Sequence, residues 1–152
     1  MLSSLTTYKN EFAHLHVKIE GGRRFPNKAI LLISIMELVR CGYILNNQIN
    51  LDDTIRVSFE YNWRKYIGTK APTVWTPFWH LKKEPFWHFK PLHTLEAIEK
   101  LARPGESASI GKMKREIEYA YLDEELFEIL KSNHGRSELI HTLKNCYIVA
   151  YM

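Results

Sequence analysis

The feature that most constrains the fold is the segment from Asn27 to Arg40, which reads NKAILLISIMELVR. Apolar residues occupy nearly all faces of this segment when it is drawn as a helix, which is the pattern of a helix buried all round. Pro26 suits the first turn of such a helix, and Gly42 suits its end. We therefore predict a central buried helix over residues 27–40, with the rest of the chain packed around it.

The chain is long enough, at 152 residues with 45% hydrophobic residues, for one domain to bury a sizeable core. We predict a compact single domain over residues 1–152, of the α+β class and mainly helical, with a small antiparallel β-hairpin or sheet. Asp52 or Asp53 would cap one of the other helices, and Asp123 would cap another. Apolar residues at helical spacing predict these helices over residues 5–19, 54–66, 91–101, 122–130 and 137–149.

Two short aromatic runs, PFWHL and PFWHF, follow each other within residues 71–89. Bulky side chains that alternate with polar ones favour strands, and a proline stands where each strand would begin. We interpret this stretch as a β-hairpin with one face in the core. Its core residues would be Phe78, Trp87 and Phe89.

Three other segments carry weaker local signals. Residues 20–26 break the first helical pattern, because Gly21 and Gly22 permit positive φ angles. Residues 43–51 give a weak hairpin or strand signal. Residues 109–121 fit a strand or a helix.

Composition excludes several classes of protein. The two cysteines, Cys41 and Cys146, lie in apolar helical patterns without metal-ligand spacing, so neither a disulfide framework nor a structural zinc site is predicted. The longest apolar run, from Ala29 to Met36, is too short to cross a bilayer. We expect a protein of the reducing cytoplasm with no membrane partner.

Charge is distributed unevenly along the chain, whose net charge is +4. Residues 1–90 hold 13 Lys and Arg against 7 Asp and Glu, whereas residues 91–152 hold 8 against 10. The basic half is also the half with the aromatic stretch. Basic residues interleaved with aromatic ones indicate a nucleic-acid partner, and a solvated basic face is the alternative interpretation.

The loop before the central helix brings two arginines to the N-terminal end of that helix. The free amides of this end, with Asn27 and Lys28 beside them, would suit a DNA phosphate. Alternatively, Asn27 and Lys28 only cap and solvate the helix, and the sequence leaves both interpretations open. The cations that we assign to phosphate contacts are Arg23, Arg24, Lys70, Lys82 and Lys83.

No catalytic chemistry is predicted. His80, Glu84 and His88 are spaced to share one face of a helix, but Pro85 and the aromatic pairs favour strands, which would scatter them. The acids of the basic half, Glu60 and Glu84 among them, are scattered and lack the spacing that a nuclease uses. The sequence also has no phosphate-binding loop and no Ser or Cys nucleophile motif. We therefore predict no metal site, no cofactor and no catalytic residue.

Most of the chain resembles one known family. The segments PNKAILL at residues 26–32 and TPFWHL at residues 76–81, then Phe86 and Trp87, resemble the DNA sulfur-binding domain of phosphorothioate-dependent type IV restriction enzymes. The tail AYLDEELFEILKSNHGRSELIHTL is similar to the helical end of that domain, which is rich in Leu-Asp-x-x-Leu. The resemblance implies binding of DNA in which a sulfur replaces a non-bridging phosphate oxygen.

In that family, a Pro-His-Lys or Pro-His-Arg segment and a Tyr-Pro-Phe-x-Ala segment enclose the sulfur in a small apolar pocket. A proline ring and an apolar neighbour favour sulfur because it is larger and softer than oxygen, while a cation balances the negative charge. The sequence departs from this pattern at Asn27 for His, Thr76 for the aromatic residue and His80 for the small residue. The resemblance implies a pocket of Asn27, Lys28, Thr76, Pro77, Trp79 and His80.

We accordingly predict a non-catalytic reader of phosphorothioate-modified double-stranded DNA that acts in restriction or defence. The family's domain is commonly joined to an HNH nuclease, and here we expect a nuclease encoded elsewhere. One alternative is a DNA-binding relative that has lost the preference for sulfur. The others are a protein-interaction module with an exposed aromatic patch around Trp75 and Trp79, and a nuclease in its own right.

Overall fold

The computed structural model describes residues 2–152, with side chains from residue 4 onward. Its eight described α-helices are α1 (Leu2–Ala13), α2 (Asn27–Arg40), α3 (Asp53–Tyr66), α4 (Trp75–His80), α5 (Leu95–Glu99), α6 (Ile110–Glu116), α7 (Glu124–Leu130) and α8 (Asn133–Leu143). The strands are β1 (Ile19–Glu20), β2 (Arg23–Arg24), β3 (Trp87–Pro91) and β4 (Ile117–Leu122). A 3₁₀ turn, Leu81–Lys83, follows α4, while a π-helical turn, Lys144–Ile148, and a 3₁₀ turn, Val149–Tyr151, follow α8. The mainly helical α+β class is confirmed.

Helix α2 is the central buried helix that the sequence predicts, with the same first and last residues. All its residues from Lys28 to Met36 are buried, and it packs against α3, α4 and α8. The amide of Tyr43 bonds back to the carbonyl oxygen of Leu38 at 2.9 Å, and Gly42 adopts a φ of +83° to allow this closure. The all-round apolar pattern therefore fixes both the place of α2 and its ends.

The aromatic stretch is not the β-hairpin that the sequence predicts. Its first run forms α4 and the 3₁₀ turn, and only its second run forms a strand, β3. The buried residues Val74, Pro77, Phe78 and Leu81 have the spacing of a helix rather than a strand. Pro77 is tolerated because it is the third residue of α4. In the first turn of a helix a backbone N–H has no acceptor within the helix, so the N–H that proline lacks is not missed.

Both sheets are antiparallel and two-stranded. Strand β3 pairs with the distant β4, which places Trp87 opposite Leu122 and Phe89 opposite Ala120. Residues 109–121, which the sequence leaves open between strand and helix, divide into α6 and most of β4. Within residues 43–51, only an isolated bridge from Ile49 to Ala120 is present, so the predicted hairpin or strand there is wrong.

Strands β1 and β2 form a very short hairpin whose turn is Gly21 and Gly22. Both glycines have positive φ, at +59° and +77°, which suits the turn that a two-residue hairpin requires. The break that the sequence predicts at residues 20–26 is therefore a hairpin leading into α2.

An aromatic cluster joins α4 to β3. Phe78 is fully buried and meets the rings of Trp75, Trp87 and Phe89 at centroid distances of 5.4, 5.2 and 6.0 Å. Trp79 stacks on Phe89 at 5.7 Å. The prediction that Phe78, Trp87 and Phe89 belong to the core is confirmed.

The outer helices differ from prediction mainly at their ends. Helix α1 stops at Ala13, short of the predicted residue 19, and α8 begins at Asn133, four residues before the predicted start. Asp52 caps α3, since its carboxylate accepts the amide of Thr54 at 3.1 Å. Asp123 is the N-cap residue of α7, as predicted, but its side chain makes no cap bond. Its carboxylate instead accepts the Tyr8 hydroxyl at 2.8 Å and lies 2.6 Å from His88 Nε2.

Among the described residues, no helix has both the length and the apolar character needed to cross a membrane.

Truncation of Phe78 tests the aromatic cluster. Phe78→Ala should lower the free energy of unfolding by about 3–5 kcal/mol, because it leaves a cavity between three aromatic rings. Urea denaturation followed by tryptophan fluorescence measures this loss. Leu95→Ala, at an exposed position of α5, should change the value by about 0.5 kcal/mol or less. Similar losses in both variants would contradict the assignment of Phe78 to the core.

Candidate nucleic-acid interface

A cleft of about 550 Å³ opens beside the N-terminal end of α2. The β1–β2 hairpin forms one side, and the end of α3 with the loop after it forms another. Three predicted site residues, Arg23, Asn27 and Lys70, line this one cleft. Its other lining residues are Glu20, Gly21, Phe25, Pro26, Trp63, Ile67, Pro72 and Tyr151.

Local sequence signals explain how these segments meet. The amide of Phe25 donates to the carbonyl oxygen of Lys18 at 2.8 Å, which closes the hairpin directly before α2 begins. Gly68 ends α3 with a φ of +89° and turns the chain toward Lys70. The indole N–H of Trp63 donates to the Thr69 hydroxyl at 3.1 Å and holds this loop against α3. Lys70 thereby lines the same cleft as Arg23.

The cations of the cleft have no anionic partner. Neither Arg23 nor Lys70 forms an ion pair within the described part of the chain, whereas Arg40, at the other end of α2, pairs with Glu37 at 3.0 Å. The side-chain amide of Asn27 likewise has no hydrogen-bond partner among residues 2–152. The free amides of α2's first turn add partial positive charge at the same place. This part of the surface is therefore equipped to accept an anion.

Lys28 faces inward, away from this surface. Its ammonium donates to Glu84 Oε2 at 2.7 Å and to the carbonyl oxygen of His16 at 2.6 Å. The Lys28 side chain is 6% exposed and the Glu84 side chain 1% exposed. Burial lowers the pKa of Lys28, while the Glu84 carboxylate acts in the opposite direction. The expectation that Lys28 offers its charge to DNA does not fit this geometry, because that charge is already balanced inside the protein.

Glu84 ties three segments together. Its Oε2 also accepts the amide of His16 at 3.0 Å, and its Oε1 lies 3.1 Å from His16 Nδ1. The segment after α1, the first turn of α2 and the turn before β3 are thus fixed to one carboxylate. Sequence reasoning missed this role, although a single acid between Lys83 and Pro85 in a basic stretch is a signal.

A second, smaller cavity of about 320 Å³ lies beside the end of α4. Four more of the predicted residues line it, namely Trp79, His80, Lys82 and Lys83. The Lys82 ammonium lies 5.0 Å from the Trp79 ring, and neither Lys82 nor Lys83 has an ion-pair partner among the described residues. The seven predicted residues that line cavities therefore divide between two sites.

His80 is half-buried, and its Nε2 lies 2.7 Å from the Ser107 hydroxyl. Burial lowers the pKa of His80, and nearby cations, with Lys83 first, lower it further. Lys28, at the buried start of α2, is among these cations. The imidazole is therefore kept neutral near pH 7.

The remaining predicted residues have more constrained positions. Pro77 is buried in the first turn of α4, and Thr76 before it is half-buried. Arg24 turns back toward the protein, where its Nη1 donates to the carbonyl oxygen of Ala13 at 3.1 Å. Its guanidinium also lies 5.5 Å from the Tyr147 ring.

The exposed aromatic patch proposed around Trp75 and Trp79 is wrong. Trp79 is only 2% exposed, and its indole N–H donates to the carbonyl oxygen of Glu106 at 3.2 Å. Trp75 is partly buried, with its ring edge-on to Phe78. These tryptophans stabilise the core and do not form an exposed aromatic patch.

His80, Glu84 and His88 also go to separate partners. His80 contacts Ser107, Glu84 pairs with Lys28, and His88 lies against Asp123. No group of three or more His, Cys, Asp or Glu side chains within the described residues is arranged to hold a metal ion.

This chain shares its fold with solved structures of DNA sulfur-binding domains. No family model and no curated protein matches the sequence. Solved structures do match it, among them the sulfur binding domain of SprMcrA complexed with phosphorothioated DNA. That match has a TM-score of 0.72 and 13% identity, and it covers 97% of this chain and 88% of that one.

The sulfur binding domain of ScoMcrA, also complexed with phosphorothioated DNA, matches with a TM-score of 0.69 and 15% identity over 92% of this chain and 86% of that one. A longer ScoMcrA structure with its SRA domain matches with a TM-score of 0.64 and 16% identity, over 88% of this chain and 40% of that one. The resemblance predicted from short sequence segments is confirmed for the fold.

The buried ion pair gives a stability prediction. Lys28→Met should lower the free energy of unfolding by about 3 kcal/mol, because it leaves the Glu84 carboxylate buried without its cation. The double variant Lys28→Met/Glu84→Gln should regain at least half of that loss. Urea denaturation at pH 7 measures all three proteins.

Arg40→Met is the matched control, since it breaks an exposed pair on the same helix and should leave the free energy of unfolding nearly unchanged. A double variant as unstable as Lys28→Met would show that the loss comes from packing rather than from an unpaired charge.

Proposed function

We propose that this protein binds double-stranded DNA that carries phosphorothioate groups in its backbone, with the N-terminal end of α2 facing the DNA. The observation that carries this proposal is the shared fold with two sulfur-binding domains whose structures contain phosphorothioated DNA. The unpaired cations at the cleft beside α2 support it independently.

The geometry favours contact with the phosphate backbone. Arg23 lines the cleft from the hairpin, Lys70 from the loop after α3, and Asn27 from the start of α2. Lys82 and Lys83 add two cations beside α4. Such contacts fix the position of a protein on a duplex but do not read its bases. We assign the direct phosphate contacts to these four cations.

We give Arg24 and Lys28 different roles from those first predicted. Lys28 orients the first turn of α2 through its buried bonds to Glu84 and His16. Arg24 has its guanidinium against Ala13 and Tyr147, so its main contribution is to hold the hairpin in place. Both residues therefore stabilise the structure beneath the cleft and do not contact DNA directly.

The preference for sulfur would arise where α2 approaches α4. Pro77 supplies an apolar ring, Asn27 and Thr76 border it in the family's arrangement, and Trp79 supports α4 from within the core. His80 stands where the family has a small residue. Its neutral imidazole reduces the room for sulfur but still permits a phosphate nearby, so we expect a modest preference for modified DNA.

We further propose that the protein is a reader without catalytic activity and that a separate nuclease acts on the DNA to which it binds. Its 152 residues would form one DNA-binding domain, and it would act in the cytoplasm. Incubation with phosphorothioate plasmid and Mg²⁺ or Mn²⁺ should leave the plasmid intact.

Salt titration tests the phosphate contacts. Binding to a short duplex, measured by fluorescence anisotropy, should weaken steeply as salt increases, because the bound cations release counterions from DNA. Arg23→Ala and Lys70→Ala should each reduce the slope of log K against log salt by about 0.9, the value for one phosphate contact.

Arg40→Ala and Lys131→Ala remove the same charge at exposed, paired positions away from the cleft and should leave the slope unchanged. If these controls change the slope as much as Arg23→Ala does, the binding depends on overall charge and not on this surface.

Substitution of His80 tests the sulfur pocket. His80→Ala should increase the ratio of affinities for phosphorothioate and ordinary DNA by about tenfold, because a small apolar side chain makes room for sulfur. Pro77→Ala should decrease the same ratio. The duplexes should differ by a single sulfur, and each stereoisomer should be measured separately.

His134→Ala, at an exposed position of α8, is the control and should not change the ratio. A wild-type ratio of one that stays at one in His80→Ala would refute sulfur recognition while leaving DNA binding intact.

A further inference from the structure

We propose that two tyrosines in the turns after α8, Tyr147 and Tyr151, hold the β1–β2 hairpin in its binding position. Tyr151 is the positioning residue for Arg23. This inference rests on the proposed function, since the position of Arg23 matters only if Arg23 contacts DNA. It adds to the binding surface a segment that is separated from the hairpin by more than 120 residues of sequence.

Tyr151 makes two contacts with the hairpin. The Arg23 guanidinium lies 4.7 Å from the centre of the Tyr151 ring, within the range of a cation–π contact. The Tyr151 hydroxyl donates to the carbonyl oxygen of Arg24 at 2.9 Å. One side chain therefore holds both the backbone of β2 and the charged group that faces the cleft. Tyr151 itself lines that cleft.

Tyr147 connects this turn to the core. Its ring is buried, and its hydroxyl donates to the carbonyl oxygen of Phe12 at 2.7 Å and accepts the amide of Leu15 at 2.9 Å. The Arg24 guanidinium lies 5.5 Å from the same ring. The two tyrosines thus contact the two arginines of β2. Through Tyr147, the hairpin is connected to α1 and to the segment that follows it.

The hairpin needs such support. Its strands have two residues each, and all six residues of the hairpin, from Ile19 to Arg24, are exposed. A hairpin of this size is not stable by itself in water. A guanidinium that already lies on a ring has fewer rotamers to lose when DNA binds, and its N–H donors at the edge stay available for a phosphate. Support from Tyr151 should therefore increase affinity without adding a contact to DNA.

The test compares Tyr151→Ala with Tyr151→Phe. Tyr151→Ala should weaken binding to a short duplex by about two- to fivefold, the effect expected for an exposed cation–π contact. It should also reduce the salt slope, because Arg23 then contacts its phosphate less often. Tyr151→Phe keeps the ring and should retain the salt slope. Tyr43→Ala, an exposed tyrosine beyond the other end of α2, should change neither quantity.

A double-mutant cycle separates positioning from a direct contact. In the Arg23→Ala background, Tyr151→Ala should have no further effect on affinity, since the group that it positions is gone. The same loss in both backgrounds would overturn the inference and assign Tyr151 to DNA contact or to folding.

A second readout does not depend on DNA. Trypsin should cut after Arg23 or Arg24 several times faster in Tyr151→Ala than in wild type or Tyr43→Ala, with the site identified by mass spectrometry. Unchanged cleavage would overturn the support of the hairpin by Tyr151, whatever the affinities are. Failure of the wild-type protein to bind any duplex, together with faster cleavage in Tyr151→Ala, would instead refute the proposed function and leave the support standing.

Discussion

The arrangement of the surface depends on a single buried ion pair, that between Lys28 and Glu84. Removing an ammonium and a carboxylate from water is costly, and the cost is offset only where both groups are fully bonded. Here the carboxylate accepts the Lys28 ammonium and the His16 amide, and the ammonium also donates to a carbonyl oxygen. These bonds fix the first turn of α2 against two loops. Because of them, α2 presents its N-terminal end at the surface in one orientation.

The same pair explains how charge is divided across the molecule. A cation at the second position of α2 is neutralised internally, so the anion-accepting character of this end comes from residues on other elements. The hairpin supplies Arg23, the loop after α3 supplies Lys70, and the turn after α4 supplies Lys82 and Lys83. A core helix thus sets the position of the surface, and side chains on the hairpin and on connecting segments supply its charge. This division would suit contacts with a DNA phosphate backbone, because such contacts need position and charge more than a rigid pattern of hydrogen-bond donors.

How much could be predicted from the sequence depended on the range of the interactions. Helix α2 is correct to the residue because its signals are local: an apolar run that starts after Pro26 and stops before Gly42. The prediction of a hairpin in the aromatic stretch is wrong because short apolar runs fit the spacing of a strand as well as that of one helical turn. Packing of the first run against α2 decides in favour of a helix, and this contact is not visible in the local sequence. The partnerships of Lys28 with Glu84 and of Arg23 with Tyr151 join residues far apart in sequence, so local patterns gave no sign of them. The cations were identified by type, but which of them share a cleft required the fold.

The glycine turn of the β1–β2 hairpin has a consequence for how such a protein can diverge. Built onto Gly21 or Gly22, a side-chain carbon would meet no other atom within 4 Å, so the tip of the hairpin is surrounded by open space. Residues could be inserted there without disturbing the packing of α2 or the cluster around Phe78. A longer tip would project beside the cleft that Gly21 and Arg23 line. The length of this tip can therefore change, in evolution or by design, separately from the stability of the fold.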